Sequence, residues 1–83
     1  MKKEFLLNLD SLTDLTAFVK EVSNDIPCDV NATYERQIVD AKSYLGLVSI
    51  STHPVKVNAN TDDMNLLEKF ARICTKYEVK ENE

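Results

Sequence analysis

Ala41-Lys42-Ser43-Tyr44-Leu45-Gly46-Leu47-Val48-Ser49-Ile50 holds the only glycine of the chain and lies between two strand-like runs. A stretch this short does not hold a helix by propensity alone. Ser43 supplies a start, because a serine oxygen accepts from an amide one turn on that has no partner inside the helix. Tyr44, Leu45, Leu47 and Val48 then give more apolar side chains than one buried face needs. With Leu47 and Ile50 turned inward, Tyr44, Leu45 and Val48 are left near solvent, and an exposed apolar patch on a small acidic protein marks a contact surface.

Upstream of this stretch, Lys3 to Leu9 alternates, with Phe5, Leu7 and Leu9 on one face, which predicts a half-buried strand. Asp10, Ser11 or Thr13 then caps a helix whose stripe is Leu12, Leu15, Phe18, Val19 and Val22, and Ser23 to Pro27 ends it. Cys28, Val30 and Ala32 form the inner face of a second strand; Tyr34-Glu35-Arg36 reverses the chain; Gln37 to Ala41 is a third, with Val39 and Ala41 inward. Downstream, Ser51-Thr52-His53-Pro54 breaks the short helix, and Val55, Val57 and Ala59 alternate as a fourth strand. Asn60 or Thr61 is expected to cap a last helix, with Asp62 and Asp63 in its first turn and Leu66, Phe70, Ile73 and Tyr77 as its stripe. Leu67 and Cys74 widen that stripe, and Glu78 to Glu83 is expected to be a frayed tail.

The order is βαββαβα. One-faced strands and single-striped helices pack most economically as α+β in two layers, three helices over one face of a mostly antiparallel sheet. Pattern alone leaves the spatial order of the strands open, since a ferredoxin-like arrangement begins in the same way. The 83 residues are expected to form one domain, small enough that nearly every apolar residue must serve a single core.

Composition narrows the function. Net charge is −4 and the ten Lys and Arg are dispersed, which weighs against nucleic-acid binding. No apolar run approaches the ~20 residues that cross a bilayer, and Phe5-Leu6-Leu7 is too short for a signal peptide, so membrane insertion is not expected and a cytoplasmic location is. Cys28 and Cys74 lack CxxC spacing and have no histidine near them, so no metal site is expected and both read as small core groups. Neither a glycine-rich phosphate loop nor a Cys/His pair is present, so no cofactor and no independent enzyme activity are expected.

The segment Lys42 to Ile50 resembles the regulatory-serine segment of HPr, the histidine-containing phosphocarrier of the bacterial sugar phosphotransferase system. In that family a Lys-Ser pair opens a short helix of the form apolar-apolar-Gly-apolar-apolar-Ser-apolar. The likeness extends more loosely from about Phe5 to about Tyr77. It implies an open-faced sandwich with strand order 1-4-2-3.

It also implies a Gly-Leu-His-x-Arg-Pro motif after the first strand, which this chain lacks. A phosphohistidine needs amide donors, the positive end of a helix and an arginine around its phosphate. The corresponding stretch is Leu9-Asp10-Ser11-Leu12-Thr13-Asp14. Aligned on Phe18-Val19, Ser11 stands where the family has its histidine, Thr13 where it has its arginine, and Asp14 where it has proline. Asp10 and Asp14 would repel a phosphate. Transfer by the family's route is therefore not expected.

By the same resemblance Ser43 corresponds to the serine that a bifunctional kinase and phosphorylase modifies, and Tyr44, Leu45 and Val48 to a docking surface, joined by Ser11 and Leu12. The chain is similar to HPr-like proteins that lack the active histidine and act through protein contacts, with HPr kinase, enzyme I or a transcriptional regulator as the implied partners. The alternative expectation is a phosphocarrier or phospho-switch modified at Ser43, Ser11 or His53. His53 is the only histidine, in a turn, with no arginine or amide nest evident beside it.

Overall fold

A computed structural model describes residues 2–79. Seven elements follow in order: β1 (Glu4–Leu7), α1 (Leu12–Asp25), β2 (Val30–Tyr34), β3 (Gln37–Asp40), α2 (Tyr44–Val48), β4 (Val55–Ala59) and α3 (Met64–Thr75). The four strands form one sheet in the order β1-β4-β2-β3, and every neighbouring pair is antiparallel. The expected α+β layout, βαββαβα with strand order 1-4-2-3 and three helices, is the one observed.

The register shows how alternation becomes two faces. Phe5 pairs with Val57, Val57 with Ala32, and Ala32 with Val39, so one apolar row crosses all four strands on the inner face. The adjacent row is Leu6, Lys56, Thr33 and Ile38, and it faces out. A slip of one residue in any strand would exchange the two rows.

Against the inner face α1 lays Leu15, Phe18 and Val22, α2 lays Leu47, and α3 lays Leu67, Phe70, Ile73 and Cys74. Phe5 meets Phe70 edge to face at 5.7 Å, which joins the sheet layer to the helix layer. Phe18 is fully buried, and its truncation to alanine would cost about 3–5 kcal/mol.

Several local expectations are corrected. Helix α1 runs through Ser23 and Asn24 to Asp25; buried Ile26 then caps it, its N–H donating to the Val22 carbonyl at 3.1 Å. Pro27 explains why the helix stops there, since it holds Ile26 in an extended conformation. Tyr34 belongs to β2 and pairs with Gln37, so the reversal is the two-residue turn Glu35-Arg36, and Glu35 takes a left-handed φ of 54°. Cys28 precedes β2 and is half-buried.

At α3 the cap is Asp63, not Asn60 or Thr61. Its Oδ1 accepts from the amides of Asn65 at 2.9 Å and Leu66 at 3.2 Å, while Thr61 Oγ1 accepts from Asp63 N–H at 3.1 Å. Asp62 lies before the helix and pairs with Lys3 instead. Of the expected frayed tail, Glu78 and Val79 are paired with β1. Asn8 N–H donates to the Tyr77 carbonyl and Val79 N–H to the Leu6 carbonyl, both at 2.9 Å, on the side of β1 away from β4. Residues 80–83 of that stretch lie outside the described residues.

Candidate functional site

Ser43 caps α2 as its place in the sequence predicts, with Oγ accepting from Gly46 N–H at 3.2 Å. The cap fixes the rotation of a helix barely longer than one turn, and the rotation decides which side chains reach water. Leu47 and Ile50 are buried; Tyr44 is 39 % and Leu45 80 % exposed. Val48 departs from expectation: it is half-buried and packs against the core, so the outward pair of α2 is Tyr44 and Leu45.

Helix α1 packs against α2 and begins with a second exposed leucine. Leu12 is 65 % exposed although it belongs to the apolar stripe, because it stands at the first helical position, one turn ahead of Leu15, the first residue of α1 to be buried. Ser11 is the cap, its Oγ accepting from Asp14 N–H at a long 3.5 Å. Thr13, Asp10 and Asp14 are exposed. The start of α1 therefore offers a phosphoryl group two carboxylates and no cation of its own.

His53 lies in the turn before β4. The pairing of Leu7 with Val55 does bring the beginning of β4 to the end of β1, yet the imidazole stacks flat on Tyr34 of β2, with ring centroids 4.4 Å apart and planes 4° from parallel. Arg36, from the turn after Tyr34, lines the same cleft as His53. The expectation of no arginine beside His53 is thus corrected, and Tyr34 and Arg36 are residues that reading along the chain did not connect with it. The signal was present in the implied strand order, since β2 beside β4 places the end of one next to the beginning of the other.

A third group of side chains lies where α1 meets the end of α3. Tyr77 O–H donates to Glu21 Oε1 at 2.9 Å and its ring meets Phe18 edge to face, while Lys76 pairs with the same glutamate. Burial pushes the phenol up to about 12, helped by the hydrogen bond to Glu21 and by the charges of Glu21 and Asp14. Burial also raises the Cys74 thiol well above its ordinary range, so it stays protonated and unreactive.

Among the described residues there is no group of three His, Cys, Asp or Glu that could hold a metal ion, and no helix is long and apolar enough to cross a membrane. Compared with family models, with curated proteins and with solved structures, the chain matches none.

Proposed function

We propose that this chain is a non-catalytic HPr-like protein, bacterial and cytoplasmic, that acts as a regulatory or protein-binding module in a phosphotransferase-related context. The observation that supports it is the exposure of Tyr44 and Leu45 on a capped short helix packed beside α1, whose first residue, Leu12, is exposed as well. Apolar side chains held out by rigid elements offer area to a partner at little ordering cost. Ser11 and Thr13 in place of an imidazole and a guanidinium argue against phosphate relay from the start of α1. The partners proposed are proteins: HPr kinase, enzyme I or a transcriptional regulator.

A phospho-switch at Ser43 is the second reading, favoured by the exposure of that serine. A phosphoryl group there would add a dianion next to Tyr44 and Leu45 without needing to unfold the helix.

The test has two arms. Intact mass is measured after incubation with phosphoenolpyruvate and enzyme I, and separately with ATP and HPr kinase; phosphate gained from the first donor overturns the non-catalytic reading. Binding to each purified candidate partner is then compared between the natural chain and Tyr44→Asp and Leu45→Asp variants. Equal binding by all three chains to every partner that binds would remove α2 as the docking surface.

A further inference from the structure

The Tyr34–His53 stack walls a cleft of about 540 Å³ between the β2–β3 turn and the loop that joins α2 to β4. Two cationic or protonatable side chains line it, Arg36 from the turn and His53 from the loop, together with the hydroxyl-bearing Ser49 and Thr52. Among the described residues Glu35 is the one carboxylate on its lining. We propose that this cleft binds a small tetrahedral oxyanion, a free dianion or a phosphomonoester, held between the Arg36 guanidinium and the His53 ring.

Several observations converge on that chemistry. Among the described residues Arg36 makes no ion pair, so its donors are free for a ligand. Both side chains are positioned rather than loose at the root. The two-residue turn closed by the Tyr34–Gln37 pair sets the backbone at Arg36, and the flat stack on Tyr34 sets the plane of the imidazole. Pairing of Thr33 with Lys56 locks β2 to β4, and so locks the turn to the loop. A guanidinium presents a planar fork of donors that matches an oxyanion, and a second, protonatable donor beside it adds charge where it counts.

The rest of the molecule sharpens the assignment. With a net charge of −4, the chain repels anions in general, so a dianion settles only where positive groups are gathered. Glu35 works against the site, and its neutralisation should tighten it. The titratable or charged groups that line the cleft with His53 are Tyr34, Glu35 and Arg36, all from the hairpin; besides His53, the segment after α2 adds Ser49, Ile50 and Thr52, none of them charged.

The experiment is a titration of the full chain followed by amide chemical shifts, with sulfate as one probe and methyl phosphate as the other. Expected are saturable shifts at residues 35–37 and 52–53, affinity at least about tenfold weaker in Arg36→Gln, tighter binding in Glu35→Gln, and weaker binding in His53→Gln. Methyl phosphate binding tighter than sulfate at constant pH assigns the phosphomonoester; equal binding assigns the free dianion. Non-saturable shifts, shifts centred on the starts of α1 or α2, or an Arg36→Gln affinity equal to the natural one would overturn the proposal. Lys42→Gln, a charge change outside the cleft, is the control and should bind as the natural chain does.

Discussion

Ser43 Oγ accepts the amide proton of Gly46 at 3.2 Å, and a Cβ added at Gly46 would stand 3.3 Å from that same oxygen. The cap and the glycine are therefore in tight contact: a Cβ at position 46 would make the serine give by a few tenths of an ångström. Val39 Cβ, at 3.4 Å from the same point, leaves ordinary contact distance.

From this relationship a double-mutant cycle follows. Gly46→Ala gains about 1 kcal/mol of helix propensity but pushes on the cap, worth about 1 kcal/mol, so the single variant should lie near neutral. In a Ser43→Ala background the oxygen is gone and Gly46→Ala should stabilise by roughly the full propensity difference. Urea midpoints of the four chains give the coupling; additive effects would show that the two positions do not communicate.

Leu45→Asp and Val48→Asp should separate docking from packing. Leu45 is 80 % exposed, so aspartate there should change stability by no more than about 0.5 kcal/mol. Val48 packs against the core, and a carboxylate at that position should cost about 2 kcal/mol or more. Thermal unfolding of both variants checks the contrast, and a Val48→Asp chain as stable as the natural one would contradict the packing described.

Tyr77 predicts a loss of stability in alkali. Its phenol is held protonated in the fold up to about 12 against an ordinary value of 10.0, so the unfolded chain gives up the proton first. The contribution is complete below pH 10.0 and declines as pH rises towards about 12. Between about pH 9 and about pH 11 the natural chain should lose more stability than Tyr77→Phe, measured as the fall in urea midpoint. Equal falls would remove the tyrosine as the cause.

Glu35 takes a left-handed φ of 54°, a conformation that costs glutamate more than asparagine, whose short polar side chain can hydrogen-bond locally. Glu35→Asn should therefore stabilise by about 0.5–1 kcal/mol, read from the denaturant midpoint. The same change should raise the folding rate only if the hairpin forms before the rate-limiting step.

The strands and helices were legible because their signals are periodic. Phe5 and Leu7 alternate, as do Val55, Val57 and Ala59, while Leu15, Phe18 and Val22 recur at helical spacing, and all are buried. The cap of α3 was not legible, since Thr61, Asp62 and Asp63 are three adjacent cap formers and only hydrogen-bond geometry selects the last. The pairing of residues 77–79 with β1 was missed for a related reason: Tyr77-Glu78-Val79 is too short to show a period, and its partner strand lies at the other end of the chain.

The sequence by itself determined the elements of this protein, the serine start of its short helix, and the lack of an imidazole or guanidinium between Leu9 and Asp14, because each is a property of neighbouring residues. Only the tertiary structure decided that Val48 turns inward while Leu45 remains outside, and that Arg36 shares a cleft with His53. Both depend on register and on helix rotation, which are set by contacts between residues far apart along the chain.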